Sequence, residues 1–254
     1  MFATLRRHPL PIQAFFRYSL VLTYAFPEDI LQPLLPPGLM LDCHEGNAFL
    51  AIALVQTEHL RPVGVPRILG RNFFLSGYRI FSRYRRQDGR VLRGLRILRS
   101  DADSSLMVWG GNLLTHYRYS KCDVESRRTS KTLDLRVTTP SAEADLSVHA
   151  LIDEPADKPP TNSPFPDLKT ARHFAGPLPF TFDYEPESNQ MVIIEGVRED
   201  WKPKPIHVEV ARCTFFDKPP FNSVPIRLAN AFFIENIPYR WKRGLVAPLA
   251  NRCT

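Results

Sequence analysis

One lysine and its neighbours offer the clearest covalent chemistry in this sequence. Lys121 is the first lysine of the chain, after fifteen arginines, and it ends a cationic run that contains His116 and Arg118. A buried lysine beside other cations can release its proton and act as a nucleophile, whereas an arginine keeps its charge. Lys121 is therefore a candidate nucleophile for a carbonyl compound. The alternative is an exposed lysine that follows a helix in an arginine-rich chain.

Five further residues could assist this lysine or bind its substrate. Glu195 and His116 are candidates for proton transfer, and Arg118 would favour the neutral amine by like-charge repulsion. Arg79 could hold a substrate carboxylate with two hydrogen bonds, and Trp201 could form the floor of a pocket. The alternatives are structural. Arg79 and Glu195 could pair as ions on a sheet, His116 could pack with a hydrogen bond near a helix end, and Trp201 could lie under a loop.

The cysteine pattern argues against a metal or redox site. No two cysteines lie close together in the sequence, so neither a zinc-binding motif nor a dithiol motif is present. We expect free thiols, no bound metal and no cofactor. The four cysteines are Cys43, Cys122, Cys213 and Cys253.

Length and composition predict a globular domain. The 254 residues are 44% hydrophobic and 11% aromatic, which is enough for a sizeable core. The longest apolar run, from Ala48 to Val55, is eight residues, far short of the roughly twenty that span a bilayer. The N-terminal residues contain no apolar signal region. We therefore expect no membrane span and a cytoplasmic location.

A basic segment raises the question of a nucleic-acid partner. The net charge is +7, and three aromatic residues, Tyr78, Phe81 and Tyr84, alternate with arginines as they would on a platform for single strands. No recognised nucleic-acid-binding module accompanies them, so a solvated basic strand pair is the favoured interpretation. The eight arginines are Arg79, Arg83, Arg85, Arg86, Arg90, Arg93, Arg96 and Arg99.

Local patterns predict strands over much of the chain. Residues 14–26 and 47–58 are rich in β-branched and aromatic side chains, and residues 72–98 form two such runs around Asp88 and Gly89. An Asp-Gly pair is typical of a hairpin turn because both residues tolerate positive φ. Further strand-like pieces fall within residues 129–151, 191–197 and 207–216.

Three segments are predicted to be helical, of which the first is a short helix that starts at Pro27-Glu28-Asp29, and residues 153–166 are predicted to form a proline-rich loop. Residues 103–117 place apolar side chains three and four apart, although adjacent Gly110 and Gly111 are tolerable there only if something packs very close. Residues 167–174 predict a two-turn helix that ends at Gly176 and Pro177. About seven to ten strands with two or three short helices indicate one α+β domain over residues 1–254, built on a curved or closed antiparallel sheet.

Several of these motifs, in this order, resemble the DUF2071 family. That family is similar to the acetoacetate decarboxylase superfamily, whose fold is a β-barrel with packed helices and an internal ligand cavity. The segments that carry the resemblance are Phe15 to Tyr24, Pro27 to Leu31, Leu34 to Leu39, Ala48 to Val55, Tyr78-Arg79 with Asp88-Gly89, Leu113 to Lys121, Asp167 to Phe174 and Glu195 to Trp201.

The resemblance implies a barrel that encloses a small organic acid or carbonyl compound and that forms homo-oligomers. In acetoacetate decarboxylase the substrate ketone condenses with a lysine to a Schiff base. The corresponding lysine-containing stretch falls on Tyr117 to Ser120, so that Lys121 lies one position later. The implied activity is a decarboxylase-type or aldolase-type reaction on a keto acid, and the alternative is a small-ligand-binding protein without catalysis.

Overall fold

The computed structural model describes residues 3–176 and 178–249 of the chain. Strands dominate these residues, with three α-helices and five short 3-10 turns between them. The helices are α1 (Glu28–Leu31), α2 (Ser105–Leu114) and α3 (Leu168–Ala175). The strands are β1 (Ile12–Pro27), β2 (Leu39–Leu41), β3 (Asn47–Pro62), β4 (Arg71–Arg85), β5 (Val91–Ala102), β6 (Tyr119–Lys121), β7 (Asp123–Arg128), β8 (Thr132–Thr138), β9 (Leu146–Leu151), β10 (Phe180–Glu185), β11 (Gln190–Arg198), β12 (Lys204–Pro205), β13 (His207–Cys213), β14 (Arg227–Trp241) and β15 (Leu245–Pro248).

Seven strands of the main sheet form a closed ring. Their order is β14, β1, β3, β4, β5, β10 and β11, and β11 then pairs back with β14. The closing register places Gly196 opposite Trp241 and Arg198 opposite Tyr239. The pairing of β5 with β10 is parallel, and the other contacts around the ring are antiparallel. The main sheet therefore curls into a barrel rather than ending at two open edges.

Both faces of the barrel wall are apolar. Successive side chains of a strand point to opposite faces of a sheet, and on β3 large and small apolar side chains alternate. On β3, Leu50, Ile52 and Leu54 face outward into the main core, while Ala51 and Ala53 face inward. The second sheet, in the order β13, β9, β8 and β7, covers the outer face. Its buried side chains Leu133, Leu135, Val137, Leu146 and Val148 belong to the same core as the outward leucines.

The predicted helix boundaries are set by side-chain caps. The Ser104 hydroxyl accepts a hydrogen bond from the Met107 amide at 3.3 Å, so α2 begins later than residue 103. Asp167 caps α3 by accepting from the Thr170 amide at 2.7 Å. All three helices were predicted from the sequence. Helix α2 is shorter than its predicted range, and α3 is offset from its predicted range by one residue.

The strands and the hairpin predicted from the sequence are confirmed, but β7, β10 and the much longer β14 were not predicted. The turn of the hairpin places Gly89 at a φ of 82°, as the Asp-Gly pair predicts. The sequence analysis did not predict β14, which has 15 residues and pairs with β1 along most of its length. The described residues form fifteen strands, which also exceeds the predicted seven to ten.

The described cysteines Cys43, Cys122 and Cys213 are free thiols, as predicted, and Cys253 lies outside the described residues. Within residues 3–176 and 178–249, no helix is both long enough and apolar enough to cross a bilayer.

Candidate functional site

A cavity of about 480 Å³ lies inside the barrel. Each of the seven ring strands contributes inward side chains to it, for example Val21 from β1, Ala53 from β3 and Phe232 from β14. Helix α2 and the segment that follows it, the loop that carries Trp201, the end of α3 and His8 also contribute to the lining. A volume of this size suits a small organic ligand.

Arg79 projects into this cavity from the middle of β4. The guanidinium folds back over Gly77, where a Cβ atom would lie 2.8 Å from Arg79 Nε, so the glycine provides its space. Arg79 Nε is buried and has no hydrogen-bond partner among the described residues. Burial lowers the pKa of Arg79, the tyrosines Tyr239, Tyr119 and Tyr117 partly oppose this, and the charge of Arg198 adds to it. Arg79 nevertheless stays a cation, because an arginine is protonated throughout the physiological range.

Arg198 supplies a second guanidinium at the end of β11. Its Nη1 donates to the Tyr239 hydroxyl at 3.2 Å, while its Nε is buried without a partner in the described part of the chain. The Arg198 guanidinium carbon lies 4.3 Å from the centre of the Trp201 ring, which is a cation–π contact. Gly196 leaves room for the Tyr239 hydroxyl, because a side chain at Gly196 would overlap it.

Two tyrosines after α2 face the same space. The ring of Tyr119 packs against Gly111, where a Cβ atom would overlap the ring. This contact confirms that something must pack close to the glycine pair, although Gly110 itself has open space around it. Burial raises the pKa of both Tyr117 and Tyr119, so both phenols are protonated donors. Thr181 is near the Tyr117 hydroxyl, but the pair lacks the geometry of a hydrogen bond.

The charges of the cavity are one-sided. Among the described residues that line it there is no aspartate, glutamate or lysine, whereas four arginines are present: Arg61, Arg71, Arg79 and Arg198. His8 also lines the cavity, and its Nδ1 is buried without a partner in the described chain. Burial lowers the pKa of His8 below 6.5, so its imidazole is neutral at pH 7. The site therefore presents hydrogen-bond donors and positive charge without a counter-ion.

Lys121 does not belong to this cavity. Its amine donates to the main-chain oxygens of Asp103 at 2.7 Å and Cys122 at 3.1 Å, and it lies 3.7 Å from the Asp123 carboxylate. The side chain is 40% exposed. Tyr119, the first residue of β6, lines the cavity. Lys121 is the last residue of β6, and its amine donates to main-chain oxygens instead. The expectation that Lys121 could face the cavity is therefore corrected.

The other predicted site residues divide between the cavity and the surface. Arg79 and Trp201 line the cavity, as the substrate-binding prediction requires. Glu195 is absent from the lining and pairs with Lys242 at 2.9 Å, so its structural partner is a lysine rather than Arg79.

The remaining two predicted residues, His116 and Arg118, also lie outside the lining. Arg118 is exposed and adopts a φ of 53°. His116 is near the buried carboxylates of Asp183 and Glu185, and its Nε2 is buried without a partner among the described residues. The structure therefore does not bring together the predicted catalytic set.

The basic segment is not a free stacking platform. Tyr78, Phe81 and Tyr84 are buried and cannot stack on bases. Four of its arginines are ion-paired with buried carboxylates: Arg83 and Arg93 with Asp42, Arg96 with Asp183, and Arg99 with Asp101. The nucleic-acid alternative therefore loses its stacking residues and half of the arginines on which it rested.

The family whose model matches the chain is DUF2071, an uncharacterized conserved protein, over residues 14–238. The chain belongs to the DUF2071 family. None of the curated proteins matches it significantly. In this DUF2071 protein, His8, Tyr239 and Trp241 line the cavity from outside the matched segment.

Solved structures share the fold of this DUF2071 protein at low sequence identity. Acetoacetate decarboxylase from Legionella pneumophila is 14% identical with a TM-score of 0.61, and the match covers 94% of this chain and 88% of that one. The enduracididine biosynthesis enzyme MppR in complex with pyruvate is 14% identical with a TM-score of 0.60, over 94% and 90% of the two chains. An acetoacetate decarboxylase-like enzyme from Sphingomonas wittichii RW1 is 12% identical with a TM-score of 0.60, over 97% and 95%. The predicted fold class is therefore confirmed.

Sequence reasoning missed three of the polar groups that matter most in the DUF2071 cavity. Arg198 precedes Trp201 by three residues, but nothing in its neighbourhood marks it as inward-facing. Tyr239 lies on β14, where alternating Phe232, Ile234 and later aromatics were a usable strand signal. His8 precedes the first barrel strand, and no local pattern indicates that it lines the cavity.

Proposed function

We propose that this protein binds a small organic anion, in its simplest form a carboxylic acid, inside the barrel. Arg79 and Arg198 bind the anionic group, and Tyr239 supports it through its contact with Arg198. No lysine takes part. The proposal keeps the small-ligand-binding function that the family resemblance implies and does not retain the Schiff-base reaction.

The observation that carries the proposal is a pair of guanidinium groups in a cavity without a carboxylate. The Nε donors of both Arg79 and Arg198 are buried and unpaired within the described chain. A buried donor without a partner costs about 1–3 kcal/mol, and more when the group is charged. A bound carboxylate would remove this cost, because it accepts two parallel hydrogen bonds from a guanidinium. MppR, which shares the fold, is described in complex with pyruvate, itself a carboxylate.

The lysine-dependent reaction lacks support because all eight lysines of the chain lie outside the lining. A Schiff base requires an amine that reaches the carbonyl carbon of the bound compound. The lysine of the cationic run, Lys121, instead donates to two main-chain oxygens. We therefore assign the site a binding role based on arginine.

Replacement of Arg79 by methionine tests this proposal. We expect the affinity for hexanoate to fall by roughly 10-fold to 100-fold, since a hydrogen bond to a charged group contributes about 1.5–3 kcal/mol. Hexanamide, which has the same shape without the charge, should bind the unmodified protein much more weakly than hexanoate. Isothermal titration calorimetry measures both affinities.

Arg85→Met provides the matched control, because Arg85 is exposed at the end of the same strand. Its affinity for hexanoate should be unchanged. Equal binding of hexanoate and hexanamide would refute the proposal, as would an unchanged affinity of Arg79→Met. A stable mass increment on a lysine after borohydride reduction with pyruvate or acetoacetate would instead restore the Schiff-base mechanism.

A further inference from the structure

The polar groups of the cavity are few compared with its apolar wall. Apart from the arginines, His8 and the tyrosines, the ionisable side chains of the described residues do not reach it. Its wall is built mainly from aliphatic and aromatic side chains, including Val55, Leu75, Leu95, Ile97 and Ile234. A polyhydroxylated or dicationic ligand would leave its own polar groups without partners against this wall, which is energetically costly.

The side chains that stand beside Arg79 in the cavity wall are small. Across the sheet, Arg79 stands opposite Ala51, and Gly77 stands opposite Ala53. Ala53 in turn stands opposite Val21 on β1. Val21, Ala51 and Ala53 line the cavity, and the small alanine side chains leave more of its volume free near Arg79 than larger side chains would. The apolar volume is therefore continuous with the anion-binding group.

The cavity also reaches solvent through an apolar entrance on α2. Leu106 and Trp109 both line the cavity, yet they are 54% and 66% exposed. Exposed apolar patches are typical of ligand-binding grooves and of protein or membrane interaction sites. An apolar ligand would enter between these side chains at little cost, because it has no hydrogen bonds to water that it would lose.

We propose that the ligand is an amphipathic monocarboxylate with an apolar tail of several carbons. The carboxylate binds Arg79 and Arg198, and the tail lies against Val21, Ala51 and Ala53. This inference rests on the proposed function and specifies the chemical class that the site selects. Short polar acids such as acetate or pyruvate fill only a small part of the available volume and are expected to bind weakly.

The test is a chain-length series of unbranched acids from acetate to dodecanoate, titrated into the unmodified protein. Burial of each methylene should raise the affinity by roughly fourfold until the chain exceeds the cavity, after which the affinity levels off or falls. The series does not require any variant to fold. Acetate and pyruvate binding as tightly as octanoate would overturn this inference while leaving the proposed function intact.

A cavity-filling variant separates the tail from the anionic group. Ala53→Leu should lower the affinity for octanoate at least 10-fold and lower the affinity for acetate by a much smaller factor. Ala211→Leu, the same substitution at an exposed position of β13, should change neither affinity. If Ala53→Leu leaves octanoate binding unchanged, the tail does not lie there. If no acid of the series binds, the proposed function itself fails.

Discussion

Asp101 is a buried residue whose ionisation is linked to folding rather than to the cavity. It is fully buried, accepts hydrogen bonds from Arg99 Nε at 2.8 and 3.1 Å, and is 3.4 Å from the Ser76 hydroxyl. Burial raises the pKa of Asp101 from 3.8 to about 6 despite the nearby Arg99 charge. The folded state therefore retains a proton on Asp101 at pH values where the unfolded chain has lost it.

This linkage predicts the direction of a pH effect. A raised folded-state pKa contributes stability below 3.8, and that contribution is lost as the pH rises through about 6. Relative to Asp101→Asn, the free energy of unfolding of the unmodified protein should fall by on the order of 2 kcal/mol between pH 4 and pH 7. Urea unfolding across this range measures the difference. Asp88→Asn, in the exposed hairpin turn, should show no such trend, and a pH-independent difference for Asp101→Asn would contradict the assignment.

A bulge between β4 and β5 helps to direct Arg79 into the cavity. On β5 the register passes from Tyr78 opposite Arg99 to Arg79 opposite Ile97, which leaves one residue of β5 unpaired. Such a bulge re-aims the side chains around it, and both Arg79 and Ile97 face the cavity. Nothing in the local sequence predicts this shift, because it arises from pairing between two strands.

Helix α2 contains adjacent glycines that should respond oppositely to substitution. Gly110→Ala should raise the free energy of unfolding by up to about 1 kcal/mol, because the new methyl meets open space and alanine favours helix. Gly111→Ala should lower it by about 1–3 kcal/mol, because the methyl overlaps the Tyr119 ring. Urea unfolding measures both changes. Effects of the same sign would show that Tyr119 does not require this glycine.

At the scale of the whole molecule, the two faces of the barrel wall separate stability from binding. The outer face packs against the second sheet, whereas the inner face lines the cavity. Leu135, on β8, belongs to the outer core and is almost fully buried. The homo-oligomer and the cytoplasmic location expected from the sequence stay predictions.

Leu135→Ala should therefore destabilise the fold without weakening ligand binding. Loss of a buried leucine side chain lowers the free energy of unfolding by about 2–5 kcal/mol. The dissociation constant of the folded protein for hexanoate should change less than twofold, because Leu135 does not line the cavity. Urea unfolding and calorimetry at low temperature measure the two quantities. A large loss of affinity would mean that the outer core controls the shape of the cavity.

The sequence by itself determined much of the local structure of this protein, although not β14. The apolar run within residues 47–58 predicts β3, the Asp-Gly pair predicts the hairpin, and the helix predicted over residues 167–174 corresponds to α3. It also singled out Arg79 and Trp201, two of the residues that line the cavity. These features follow from interactions between residues that are close in the chain, so a single sequence contains them.

Only the tertiary structure decided which ionisable groups share the cavity. Arg79 and Arg198 meet there because β11 pairs with β14 and closes the ring, which brings together residues more than a hundred positions apart. Tyr119 reaches the interior while Lys121, two positions later, stays at the surface. The direction of a side chain in a barrel depends on strand register, bulges and ring closure, and these arise from contacts between distant segments that no local pattern specifies.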